Sequence, residues 1–181
     1  MQDDIAQVLV SAAEIKKRVK EMGAAISRDY AGKDLLVVGI LKGAIIFLAD
    51  LVREITIPLQ LDFMAVSSYG AGTTTSGAVR ILKDLEVPVE DKHLLIVEDI
   101  VDTGLTLKYL LENLKARKPL SVRACTILDK PDRRLVDVHV DYSGFSIPDY
   151  FVVGYGLDYA QKYRHLPHIC VLKPEVYTRQ K

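Results

Sequence analysis

A chain of 181 residues, 49% hydrophobic and 27% charged, suits one domain with a sizeable core and carries too much apolar content for wholesale disorder. Its 24 Lys and Arg balance 24 Asp and Glu, so no global positive field draws it to nucleic acid or an anionic membrane. No apolar run nears the roughly 20 residues that span a bilayer, and the start, Met1-Gln2-Asp3-Asp4, is acidic where a secretory signal is basic. Cys125 and Cys170 lack CxxC spacing and lie among apolar residues, which reads as two reduced, buried thiols of a cytoplasmic protein.

Ser11-Ala12-Ala13-Glu14 is a capping box, and the helix it opens buries Ile15, Val19, Met22 and Ile26 on one face, with Gly32 ending the segment. LLVVGIL, Leu35–Leu41, is a strand pattern covered on both faces. Residues 44–53 read as a helix, and a second strand at 59–68 follows Pro58. YGAGTTTSG, residues 69–77, is too polar to pack and reads as a loop. Further strand patterns lie at 79–82 and at 94–97, the latter running into Glu98-Asp99. Leu107, Leu110, Leu111 and Leu114 have helical spacing, Lys115, Arg117 and Lys118 suit the negative end of that helix, and Pro119 stops it. Residues 122–128 form a strand pattern, Asp129-Lys130-Pro131-Asp132 a turn, and 136–140, 151–155 and Ile169–Leu172 three more strands. The alternation predicts an α/β fold with a mostly parallel central sheet flanked by helices, with too few βα units for an eight-fold barrel.

The chemistry concentrates in HLLIVEDIVDTGLT, residues 93–106. A buried strand ends in two acids, and a third, Asp102, opens Asp102-Thr103-Gly104-Leu105-Thr106 just before a helix. Free N–H groups at a helix start favour an anion, and the helix dipole adds to that preference. Gly104 admits a phosphate close to the backbone, and Thr103 and Thr106 can donate hydroxyl hydrogen bonds to it. Acids beside such a cradle would repel a bare phosphate but suit sugar hydroxyls, a proton or a metal. A sugar phosphate with chemistry at its other end satisfies both. Asp-Thr-Gly also occurs in aspartic proteases, but Leu105 stands where those enzymes carry a small residue, and a strong helix follows where they need strands.

The nine residues 98–106, EDIVDTGLT, resemble the signature with which type I phosphoribosyltransferases bind phosphoribosyl pyrophosphate. Leu41-Lys42-Gly43, Ser67-Ser68-Tyr69-Gly70, Leu128-Asp129-Lys130, FVVGY at 151–155, Leu157-Asp158-Tyr159 and Arg164 narrow the resemblance to the bacterial hypoxanthine(-guanine) phosphoribosyltransferases, over residues 37–172. This implies one phosphoribosyltransferase domain over 1–181, with a small hood formed mainly by the C-terminal part and the N-terminal segment. It also implies a Mg²⁺-dependent purine-salvage reaction in which a 6-oxopurine displaces pyrophosphate from the sugar. On the matching positions, Thr103, Gly104, Leu105 and Thr106 would cradle the 5′-phosphate. Glu98 and Asp99 would hold the ribose hydroxyls directly or through Mg²⁺, which Asp158 would also reach. Asp102 would be the general base at N7. Lys42, Gly43 and Arg164 would hold pyrophosphate, and the family often places a non-proline cis peptide before Lys42. Lys130 would donate to the purine O6, Phe151 would stack on the base, the Val152 carbonyl would accept from it, and Asp158 would lie close by. Ser68 and Tyr69 would belong to a flap that closes over the site.

Two rivals stand beside this reading. One is a xanthine- or guanine-preferring relative with the same phosphate loop. The other is a catalytically idle regulator that keeps the fold to sense ligand and bind nucleic acid, which the balanced charge disfavours. The resemblance further implies a cytoplasmic homodimer or homotetramer. His93, His139, His165 and His168 show no metal-ligand spacing.

Overall fold

The computed structural model describes residues 2–68 and 79–178. The whole polar loop at 69–77, Tyr69 included, therefore lies outside the described residues, as does the side chain of Ser68. The elements are β1 (Ile5–Val10), α1 (Ala12–Asp29), β2 (Leu35–Leu41), α2 (Ile45–Glu54), β3 (Gln60–Ser68), β4 (Val79–Lys83), β5 (His93–Val101), α3 (Leu105–Lys115), β6 (Ser121–Asp129), β7 (Tyr142–Ser146), β8 (Val152–Val153), β9 (Ile169–Leu172) and α4 (Pro174–Thr178).

Six strands form the main sheet in the order β4-β3-β2-β5-β6-β7, all parallel except β4, which runs antiparallel on the β3 edge. Strand alternation divides the core between the two faces. Leu35, Val37, Leu95 and Val97 meet Ile15, Val19, Met22 and Ile26 of α1 and Phe47, Leu48 and Leu51 of α2. Leu36, Val38, Leu94 and Ile96 meet Leu107, Leu110 and Leu114 of α3 on the other face. An apolar run without alternation, as in β2, is what a strand covered on both sides requires. Both cysteines are free and buried, and among the described residues no helix is long and apolar enough to cross a membrane.

A second, three-stranded antiparallel sheet, β1-β9-β8, joins the two ends of the chain. The short-range pattern does not predict β1, because its partner β9 lies about 160 residues away along the chain: Val10 pairs with Ile169 and Val8 with Cys170. The expected strand at 136–140 is not a strand. Val138 and Val140 alternate as a strand would and pack onto the α3-side core, but the available edge of β6 is taken by β7 at Tyr142–Ser146. The expected strand at 151–155 shrinks to Val152–Val153, since Gly154 (φ 97°) and Tyr155 (φ 51°) turn into the left-handed region.

Candidate active site

In the main sheet the chain winds outward in both directions from the β2–β5 pair, toward β3 on one side and β6 on the other. The crevice outside the carboxyl ends of two such strands is where open α/β sheets bind ligands. Three segments meet there: Lys42-Gly43 after β2, Asp102–Thr106 after β5 and Lys130 after β6.

β5 does not stop at the acids but continues to Val101, so Glu98 and Asp99 point to opposite faces. Glu98 is buried and lines a cavity of about 100 Å³ together with Asp102, Thr103, Gly104 and Thr106. Asp99 faces the other way, against Gly43, where a Cβ would collide with its carboxylate. Burial pushes the Glu98 carboxyl well above the usual range, and the Asp99 charge adds to the rise. Burial also raises Asp99, Asp158 raises it further, and the amide of Ile100 and the charge of Arg164 pull it partly back. Each of these desolvated carboxyls, on its own face of β5, is poised for a cation or for hydroxyl donors.

The phosphate-type loop is built as an open helix start. Gly104 is the N-cap of α3 at φ 85° and makes no side-chain cap, and Thr103 Oγ1 stands 3.5 Å from the Leu105 N–H. The chain after β6 folds over this loop. The Lys130 N–H donates to the Val101 carbonyl and the Leu135 N–H to the Thr103 carbonyl, each at 2.9 Å, while Arg134 donates to the Asp102 carbonyl at 2.7 Å and pairs closely with Asp129.

A second cavity, about 440 Å³, adjoins the first through Asp102 and Ile100. Lys130, Phe151, Val152, Leu157, Tyr150, Arg133, Asp149 and Tyr177 line the rest of it. Lys130 is buried and its Nζ donates to the Tyr150 carbonyl at 2.7 Å and to Asp149 at 3.3 Å. An ammonium has three N–H bonds, so among the described residues one remains to be offered to a ligand. Phe151 presents 39% of its surface. Arg133 spans two acids, with Nε donating to Asp102 at 3.0 Å and Nη1 to Asp149 at 3.3 Å.

On the opposite flank the Leu41–Lys42 peptide is cis. Gly43 is caught between Asp99 and the chain at Gly156, where a Cβ would strike the Gly43 carbonyl oxygen. Arg164 donates to the Gly156 carbonyl at 2.8 Å and pairs with Asp158 at 2.8 Å. A slightly larger cavity, about 460 Å³, lies between α1, α2 and residues 164–167, and of the expected site residues only Arg164 reaches it.

Glu98, Asp102, Thr103, Gly104 and Thr106 thus share one cavity, and Asp102, Lys130, Phe151 and Val152 the next. Asp158 lines neither and sits with Arg164. Among the described residues no three His, Cys, Asp or Glu side chains gather as a metal cage. Sequence reasoning misses Arg133, Asp149 and Tyr177, which no motif or spacing singles out. Only the fold brings them to the cavity.

Residues 8–160 match the model of the phosphoribosyl transferase domain, and the chain belongs to that family. It is 53% identical to the hypoxanthine-guanine phosphoribosyltransferase of Bacillus subtilis over 98% of both chains. The bifunctional protein TilS/HprT of Listeria monocytogenes is 50% identical over 98% of this chain and 28% of its own length. A crystal structure of a hypoxanthine phosphoribosyltransferase from Staphylococcus aureus superposes with a TM-score of 0.95 at 51% identity, covering 98% of this chain and 96% of that one.

Proposed function

We propose that this chain is a purine-salvage enzyme that transfers the 5-phosphoribosyl group of phosphoribosyl pyrophosphate to N9 of hypoxanthine and guanine. The observation that carries the reading is the pair of adjoining cavities with Asp102 between them, one walled by an open helix start, the other by a buried lysine and an exposed aromatic ring. The 5′-phosphate takes the N–H groups and hydroxyls of residues 103–106. The purine lies on Phe151, its O6 receives the spare N–H of Lys130, and the Val152 carbonyl accepts from the opposite edge of the ring. The N9–C1′ bond forms as the C1′–O bond to pyrophosphate breaks, and the N7 proton passes to Asp102. The same carboxylate stabilises positive charge developing at C1′. Pyrophosphate leaves past Lys42, Gly43 and Arg164.

Mg²⁺ favours few carboxylates and completes its shell with water and phosphate oxygens. The sparse acids here fit that habit, with Asp99 and Asp158 near one another and Glu98 on the far face. These residues would hold the ion, which would neutralise charge on the departing pyrophosphate. The domain would work in the cytoplasm as a homodimer or homotetramer, two states that sedimentation distinguishes. Ser68 and Tyr69 would close over the site and keep water from the activated sugar.

The test is transfer itself. The purified protein receives phosphoribosyl pyrophosphate, Mg²⁺ and one base at a time, and pyrophosphate and nucleotide are followed. Turnover with hypoxanthine and guanine, little with adenine, and loss on chelating Mg²⁺ support the reading. A preference for xanthine moves the specificity, and binding of phosphoribosyl pyrophosphate without transfer to any base overturns it.

A further inference from the structure

The Phe151 ring is not free on all sides. Tyr177, on the short helix α4, lies parallel to it, with ring centroids 4.7 Å apart and planes 19° from parallel, and Tyr159 meets it edge-on at 5.6 Å and 86°. The Tyr177 spacing is that of two rings in direct offset contact. No purine fits between them. Tyr177 is itself anchored. It is half-buried against the cluster of Val153, Tyr163, Cys170 and Leu172, on the outer side of the small sheet. The start of α4 is tied to the N-terminal segment, since the Lys173 N–H donates to the Asp4 carbonyl at 2.9 Å and the Tyr163 hydroxyl to the Asp4 carboxylate at 2.9 Å.

We infer that Tyr177 is a positioning residue for the base: it backs one face of Phe151 and fixes the ring plane on which the purine stacks. The inference rests on reading the 440 Å³ cavity as the purine slot. A partly exposed phenylalanine just before a two-residue strand would otherwise turn about its own side-chain bonds, and every base bound would have to arrest it. With Tyr177 behind and Tyr159 at the edge, that ordering is complete before the base arrives. The stack then runs Tyr177, Phe151, purine, and links base binding to the contact between the chain's two ends.

The experiment compares wild type, Tyr177→Ala and Tyr177→Phe in steady-state transfer, with hypoxanthine and phosphoribosyl pyrophosphate varied in turn, and measures IMP binding by calorimetry. In Tyr177→Ala the KM for hypoxanthine and the Kd for IMP rise by about threefold to tenfold, the span of a lost aromatic pair, while the KM for phosphoribosyl pyrophosphate stays near wild type and the unfolding midpoint falls by only about 2–4 °C. Tyr177→Phe keeps the stack and restores both values. An unchanged KM for hypoxanthine overturns the inference. So does a lowered one, which would mean that Tyr177 occupies the base's own place. A fall in kcat with both KM values raised and an early unfolding transition would reduce Tyr177 to a structural prop. A wild-type protein that transfers no base fails the proposed function itself, and the inference with it.

Discussion

Two helices in this molecule start in opposite ways. At α1, the Ser11 hydroxyl accepts from the Glu14 N–H at 3.3 Å and the Glu14 carboxylate accepts from the Ser11 N–H at 2.8 Å, so two of the donors at this helix start are answered from within the chain. At α3 the N-cap is Gly104, without a side chain to offer; Thr103 Oγ1 accepts only a long 3.5 Å bond from the Leu105 N–H, and Gly104, Thr106 and Leu107 line a cavity. The residues just before the caps differ in the same sense: Leu9 and Val10 are apolar, Asp102 and Thr103 polar. A helix start that the protein completes for itself stabilises the fold. One left incomplete at the switch point of a parallel sheet is completed by something else, and the donors favour an anion.

The sharpest way to test that contrast is at the open end. Asp102→Asn keeps the shape of the side chain and removes its basicity, and it leaves the 103–106 loop intact. Turnover should fall by about 10²- to 10⁴-fold, the range of a lost general base, while the KM for phosphoribosyl pyrophosphate stays within a few-fold of wild type. Rate and KM moving together would make Asp102 a phosphate-loop residue and no more.

Gly104→Ala attacks the cradle instead of the base. At φ 85° an alanine is strained, and its Cβ would press on Arg134 and Val138, which cover the loop. The carbonyl and N–H groups would then shift from the cavity. A KM for phosphoribosyl pyrophosphate raised by about tenfold, with about 1–3 kcal/mol lost from stability, is the expected outcome. Steady-state kinetics and urea unfolding together check it, and an unaltered KM would mean that the open helix start holds no phosphate.

The contrast between these helix starts is largely legible in the amino-acid order. A capping box has a four-residue signature, and Asp-Thr-Gly ahead of a leucine-spaced helix has another; both are local, and local rules govern them. The parallel sheet is legible for a related reason, since strands buried on both faces, such as Leu35–Leu41, cannot hide their composition. What the sequence conceals depends on distant partners. β1 exists because β9 meets it, and residues 136–140 fail to be a strand because β7 holds the edge they would need. At the site, the Asp102–Thr106 loop is readable, but the division of Glu98 and Asp99 between two faces turns on how far β5 extends. Arg133, Asp149 and Tyr177 carry no local signal at all, because each gains its place only when residues 16 to 31 positions away, or the far end of the chain, come to face it.

The smallest effect is expected at the closed end, and it is the most exacting test of the comparison, because it must change stability and leave chemistry alone. Ser11→Ala deprives the Glu14 N–H of its acceptor while leaving every residue of the two site cavities in place. The loss of a cap costs about 1 kcal/mol, which lowers Tm by about 2–4 °C in a chain of this size. The Ser11 hydroxyl, followed by its backbone N–H, holds the Glu14 carboxyl below the ordinary value of 4.5. A carboxyl lowered in the folded state contributes stability that is present above its unfolded pKa and disappears as pH falls through the folded one. The gap in Tm between wild type and Ser11→Ala should therefore be full near pH 7 and narrow below about pH 4, as Glu14 takes up its proton. Thermal unfolding across that range, with kcat and both KM values measured at pH 7, decides it. A gap that persists undiminished at pH 3 would confine the cap to the hydroxyl alone, and any change in the KM for phosphoribosyl pyrophosphate would show that the closed helix start and the open one are not independent.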